Sequence, residues 1–281
     1  MHEKTFKAEH INAVEEDLAG NNGIGRYVFL PGSDGRAKQI ADHFSSVTVK
    51  ESSRAHNLYL GEIEHEGTKI EVASVATGMG TPSVDIIMNE LIKLGAKRFL
   101  RVGTAGLLQP EFMRLGDFVI GLGAVRDEGA SRNYVPLEFP AIASPEMVQA
   151  LVEAARELNF PEQCHVGLMH SKDSLFAREF GEGAMAESNH AYVNILRRAG
   201  VLASEMEASH LFTLSQLFDA QLRIKGKGCR YRILSGAICL MISDGPGFVS
   251  GEPLRQGIEK VIEITKRAFI HLAGREEKLL F

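Results

Sequence analysis

Two arginines in this sequence stand where an oxyanion would be held. Pro31-Gly32-Ser33-Asp34-Gly35-Arg36 puts one at the start of a helical pattern, beside backbone N–H groups that favour an anion. Arg101-Val102-Gly103-Thr104 puts another at the end of an apolar run, with a hydroxyl three residues on. Guanidinium groups take phosphate oxygens bidentately, so two glycine turns carrying Arg36, Arg101 and Thr104 form a candidate phosphate cradle. Each arginine alone also reads as a surface side chain. Other signatures are missing. There is no GxxxxGKS/T, HExxH, GxSxG or calcium-loop pattern, and Gly78-Met79-Gly80 lacks the third glycine of a dinucleotide fingerprint.

The elements that must position these groups alternate. Residues 26–30, 69–76, 98–102, 117–122, 166–170 and 235–242 are strand-like apolar runs. Between them, apolar residues fall at helical spacing over 37–44, 83–94, 145–158, 188–199, 206–218 and 254–273. Ser144 is the expected N-cap of the helix that Pro145 opens, and Gly95 the stop of an earlier one. Near-continuous apolar strands alternating with helices predict a single α/β domain over residues 1–281, a mostly parallel central sheet flanked by helices. Ligands in such sheets lie at the carboxyl ends of the strands, here residues 32–36, 77–80, 103–106, 172–179 and 243–247.

The 281 residues carry 31 Lys plus Arg against 36 Asp plus Glu, a net charge of −5. That balance argues against the basic face on which nucleic-acid binders depend. Hydrophobic residues make up 44% and charged ones 24%, which excludes a disordered chain. Cys164, Cys229 and Cys239 have neither the number nor the spacing for a disulfide framework or a metal knuckle, as expected of a reducing, cytoplasmic compartment. No apolar segment approaches membrane-spanning length, and none follows the charged residues 1–4, so no membrane partner is expected. Residues 225–232 read as a basic, solvated loop.

The anion motifs belong to a wider set. Pro31-Gly32-x-x-x-Arg36, Thr77-Gly78-Met79-Gly80-Thr81-Pro82-Ser83 and Arg101-Val102-Gly103-Thr104-Ala105-Gly106 are three of its members. Val125-Arg126-Asp127-Glu128-Gly129-Ala130-Ser131, followed by Pro136-Leu137-Glu138-Phe139-Pro140, is a fourth, and Glu205-Met206-Glu207-Ala208 a fifth. In type, spacing and order they resemble the uridine phosphorylase branch of the nucleoside phosphorylase family, over about residues 10–242. The resemblance implies reversible phosphorolysis. A nucleoside, uridine favoured, reacts with inorganic phosphate as co-substrate to give free base and ribose 1-phosphate, without cofactor or metal.

By this resemblance Gly32, Arg36, Arg101 and Thr104 contact phosphate, and Arg54 reaches the phosphate of a neighbouring subunit. Met206 and Glu207 hold the ribose, and His10 is lent across a dimer interface to its 5′-hydroxyl. Gly106 and Phe176 lie against the base, Phe176 by stacking. A homodimer is then the minimum unit, and hexamers of such dimers are usual in the family. On the residues alone, His10 also reads as a plain N-terminal residue, Phe176 as core, Arg54 as surface, and Glu205 and Glu207 as a solvated helix start.

The sequence departs from the family in three places. The uridine enzymes read uracil with Gln-x-Arg, which residues 173–181 lack; Arg178 and Glu179 are the candidates to replace it. Ser243-Asp244 resembles instead the purine nucleoside phosphorylases, where such an aspartate protonates the leaving base with help from an arginine. Asp244 and Arg255 are the corresponding catalytic candidates, although Asp244 also reads as the turn residue of Gly245-Pro246-Gly247. Ala55 stands where some bacterial members carry a glutamate tied to a monovalent cation. The alternatives are a purine nucleoside phosphorylase using Asp244, a nucleosidase on the same scaffold, and a non-catalytic nucleoside-binding protein. Retention of Arg36, Arg54 and Arg101 argues against the nucleosidase.

Overall fold

The computed structural model describes residues 6–226, 232–245 and 247–278. Cys229, Pro246 and most of the 225–232 loop lie outside the described residues. In chain order the elements are α1 (Glu15–Leu18), β1 (Tyr27–Pro31), α2 (Asp34–Ala41), β2 (Ser45–Lys50), β3 (Leu58–His65), β4 (Thr68–Val75), α3 (Thr81–Lys93), β5 (Arg98–Leu107) and β6 (Phe118–Asp127). There follow β7 (Ala141–Ile142), α4 (Pro145–Glu157), β8 (Cys164–Lys172), a π-turn (Leu175–Glu179), α5 (Ala186–Arg198), β9 (Ala203–Glu205), α6 (Ala208–Ile224), β10 (Leu234–Ser243) and α7 (Gly251–Lys278).

The strands form one sheet in the order β10-β6-β8-β9-β5-β1-β4-β3-β2, and β10 also pairs with β5. The sheet therefore closes into a ring through β5, β10, β6, β8 and β9, and β1, β4, β3 and β2 extend from it as an open wing. The strands nearest the anion motifs run parallel: β1 beside β4 and β5, and β5 beside β10. Antiparallel joints at β10–β6, β5–β9, β3–β4 and β2–β3 make the whole sheet mixed.

The apolar strands are continuous because both faces are covered. Val28 and Leu30 of β1 join a layer with Val84, Ile87 and Leu91 of α3 and Leu211 and Phe212 of α6. Tyr27 and Phe29 join the opposite layer with Ile40 of α2, Leu151 of α4 and Val261 and Phe269 of α7. Successive side chains on a strand point to opposite faces, so a strand between two helical layers must be apolar at every position. No helix among the described residues is long and apolar enough to cross a membrane.

Three local expectations change. Residues 103–106, expected as a turn, are strand: β5 runs on to Leu107 because β10 pairs with it through Gly103↔Cys239 and Ala105↔Met241, and β9 through Gly106↔Ser204. Ser144 stands at the N-cap of α4, but its hydroxyl accepts a hydrogen bond from Ser235 N at 2.9 Å instead of capping the helix. The hairpin of β2 and β3 was not expected; β2 is exposed along almost its whole length and carries no apolar run.

Candidate active site

The ends of β1, β5, β8 and β9 meet around a cleft of about 180 Å3. Gly32, Arg36, Arg101, Thr104, Gly106, Glu179, Met206 and Glu207 all line it. The glycine turn after β1 leads directly into α2, which carries Arg36 in its first turns.

Arg101 is the centre of the cleft's electrostatics. It is buried, and its Nε donates to Glu205 Oε2 at 2.9 Å while Nη2 pairs with Glu207 Oε2. Burial alone would lower the pKa of this guanidinium, but Glu207 and Glu205 outweigh that and hold it above its ordinary value. Nη1 is buried and has no hydrogen-bond partner. Arg36, on the same cleft, makes no ion pair with any described carboxylate, and burial followed by the nearby charge of Arg101 pulls its pKa down. Two guanidiniums thus present unmatched donors to one space, an arrangement that an anion completes.

Glu205 and Glu207 flank Arg101 in different ways. Glu205 is saturated: besides Arg101 it accepts from the backbone N–H groups of Glu207 and Ala208 and from the Ser171 hydroxyl. It therefore fixes the guanidinium and satisfies the first N–H groups of α6, where a carboxylate is favoured. Glu207 faces the cleft, and its Oε1 accepts from Gly80 N at 2.7 Å. Burial pushes Glu207 above the ordinary carboxylate range, Arg101 pulls against this, and Glu205 adds to it.

Glycines make the arrangement possible. A Cβ on Gly103 would come within 2.8 Å of Cys239 Sγ and 2.9 Å of Arg101 Nη2, so only glycine lets the guanidinium lie back along β5. Gly78 and Gly80 have φ of 77° and 81°, in the left-handed region, and a Cβ on Gly78 would meet Ser83 Oγ at 2.2 Å. That turn carries the Gly80 N–H to Glu207.

Residues 26–268 match the sequence profile described as the Phosphorylase superfamily. The chain is 34% identical over 226 residues to a uridine phosphorylase of Treponema pallidum, covering 79% of this chain and 78% of that protein. A uridine phosphorylase of Thermococcus kodakarensis is 36% identical over 198 residues, 69% of each chain. A guanosine phosphorylase of Halorubrum lacusprofundi is 30% identical over 260 residues, 89% of this chain and 95% of that one. The chain belongs to the phosphorylase superfamily.

Other expected site residues of this phosphorylase lie outside its own cleft. Phe176 is 60% exposed and meets Phe180 edge-on, with centroids 5.7 Å apart, so it does not stack over the cleft; Leu175, its neighbour on the π-turn, lines the cleft instead. Arg178 turns away. It bonds both oxygens of Asp127, at 3.0 and 2.8 Å, and Asn189 Oδ1 at 2.7 Å, and lies over the Tyr192 ring. Asp244 is exposed and does not line the cleft, and Arg255 is an exposed partner of Glu252 at the start of α7, so the two form no acid–arginine unit. His10 and Arg54 share one surface patch: Glu90 Oε1 lies 2.8 Å from His10 Nδ1, and Ser52 Oγ donates to His10 O and accepts from Arg54 N. Neither lines the cleft of its own chain.

Sequence reasoning gave no individual role to several lining residues, among them Lys172, Leu175, Ser204, Ile242 and Phe248, although Lys172 and Leu175 fall in the 172–179 stretch it singled out. Phe248 follows the Ser243–Gly247 strand end already singled out. Lys172 opens another such end, and a lysine closing an apolar strand was the signal available there.

Proposed function

We propose that this protein is a pentosyltransferase that carries out reversible phosphorolysis of a nucleoside, uridine favoured, in the cytoplasm and as a homodimer or a larger assembly of dimers. The observation that carries the reading is a pair of guanidiniums on one cleft, Arg36 with no carboxylate partner and Arg101 with a buried partnerless Nη1, the latter ion-paired to the cleft-facing Glu207. The T. pallidum and T. kodakarensis relatives, both named uridine phosphorylase, support uridine.

Phosphate sits on Arg36, Arg101 and Thr104, and Glu207 accepts hydrogen bonds from the ribose hydroxyls. A phosphate oxygen bonds to the anomeric carbon as the bond to the base nitrogen breaks, and that bond's electron pair leaves on the base, which takes a proton from solvent. Positive charge builds on the sugar between phosphate and Glu207, so positioning and fixed electrostatics supply most of the rate. No cofactor enters; phosphate is the co-substrate. Within the cleft Arg36, Arg101 and Lys172 are offset by Glu179, Glu205 and Glu207, so a phosphate dianion calls for another cation. Arg54 of the partner subunit supplies it, and His10 of the partner subunit meets the 5′-hydroxyl.

Release of base from uridine, guanosine, inosine and adenosine, with and without phosphate, tests this. The expected result is cleavage that needs phosphate and a raised KM for phosphate in Arg36→Ala. Cleavage independent of phosphate would favour a nucleosidase, and tight binding without turnover a sensor.

A further inference from the structure

One wall of the cleft holds a charged pair away from the anion cradle. Lys172, at the end of β8, is 2% exposed; its ammonium donates to Ser204 Oγ at 2.9 Å and pairs with Glu179 Oε2. Its third proton makes only a long 3.4 Å contact with Glu205 O. Glu179 Oε1 lies over Gly106, where a Cβ would come within 2.0 Å of it, and it accepts no hydrogen bond from the described residues. Lys172 thus holds its third proton in the weakest of its contacts, and Glu179 keeps an acceptor without a donor.

We propose that Lys172 and Glu179 read the base, admitting an edge that sets a ring N–H beside a carbonyl and rejecting the reverse edge. The inference rests on the phosphorolysis reading above. An ionised carboxylate only accepts hydrogen bonds and an ammonium only donates them. Uracil offers N3–H beside O4, and guanine N1–H beside O6, so the N–H meets Glu179 and the carbonyl meets Lys172. Cytosine and adenine offer a bare ring nitrogen beside an amino group, which sets acceptor against acceptor and donor against donor. In a site closed to water such mismatches leave buried groups unpaired, the condition for strong rejection. As an ion pair the two residues are neutral together, which suits an uncharged base.

Lys172 is itself held in place. Ser204 Oγ lies 3.1 Å from His170 Nδ1, His170 Nε2 lies 2.9 Å from Asp127 Oδ2, and Arg178 clamps Asp127. Arg178 is a positioning residue for the base wall, acting through this buried chain. Gly106 is the floor that leaves room for the carboxylate.

The test compares kcat/KM for uridine and guanosine with 3-methyluridine, 1-methylguanosine, cytidine and adenosine. The wild type is expected to lose roughly 10⁴-fold on the N-methyl and amino analogues. In Glu179→Leu, and in Lys172→Met/Glu179→Leu, which removes both charges together, most of that ratio disappears, and in the double variant, whose cleft keeps its charge balance, the KM for phosphate stays near the wild-type value. The ratio compares substrates within one preparation, so partial loss of folded protein cancels. Equal cleavage of uridine and 3-methyluridine by the wild type, or an unchanged ratio in the variants, overturns the assignment and leaves phosphorolysis standing. Absence of phosphate-dependent cleavage of any nucleoside overturns both.

Discussion

Arg101 holds its charge only because Glu205 and Glu207 surround it, and the dependence is mutual. Arg101→Ala removes a donor aimed at the reacting phosphate, for which a drop of about 10²–10³ in kcat is expected. It also leaves two buried carboxylates without a counter-charge, so a loss of about 3–5 kcal/mol in stability accompanies it. Steady-state kinetics and thermal unfolding read the two effects separately, and a folded variant with unchanged turnover would remove Arg101 from the phosphate site. Glu207 yields a pH prediction. Sugar hydroxyls donate to its ionised form, and burial raises its pKa. As pH falls, the carboxyl takes up its proton earlier than an ordinary glutamate would. The kcat/KM profile should therefore bend down on the acid side above the usual glutamate range, and Glu207→Gln should abolish that bend. A limb that survives in Glu207→Gln belongs to another group.

At the scale of elements, β5 is both the central strand and the floor of the site, and Gly103 makes these roles compatible. β5 is hydrogen-bonded to β1 and to β10, so its backbone has little room to yield. Gly103→Ala would press a methyl against Cys239 and the Arg101 guanidinium, with an expected loss of about 1–3 kcal/mol. Because the displaced group is the proposed phosphate ligand, the KM for phosphate should rise more than the KM for nucleoside; equal changes in both would contradict this account of the glycine. The strand–glycine–helix rhythm was legible because apolar runs and helical spacing are local patterns. So were Arg36 and Glu207 as cleft residues, each at a helix start, and Arg101, although it lies within β5 and not at its end. The continuation of β5 through Gly103 and Gly106 was not, since glycines inside a strand look like a turn until the partners that need the space are known. Glu179 was legible as a base candidate, but its pairing with Lys172 was not, since that pair is set by Ser204 and Gly106, distant in sequence. Phe176 misled for a related reason: an aromatic at a strand end suits stacking, but the π-turn directs Leu175 inward.

At the scale of the molecule, the cleft is built from one chain yet its six charged side chains cancel, and two expected ligands of the substrates lie elsewhere on the surface. His10 and Arg54, tied together through Ser52, form one patch away from the cleft of their own chain, and under the proposed function that patch completes the cleft of a second copy. Mixing settles this. Arg54→Ala and Arg101→Ala should each be inactive alone, and a mixed dimer should recover one intact site, combining Arg101 of one subunit with Arg54 of the other. Activity in re-equilibrated mixtures is the expected outcome; mixtures as inactive as their parents, with mixed dimers demonstrably formed, would mean that each chain works alone. The central claim is that phosphate, gripped by Arg36 and Arg101, is the group that takes the sugar. Phosphorus NMR of uridine and guanosine incubated with enzyme and inorganic phosphate tests it most directly. Ribose 1-phosphate appearing in step with free base, and no base release when phosphate is withheld, is the predicted result; free ribose as the product, released with or without phosphate, would contradict it.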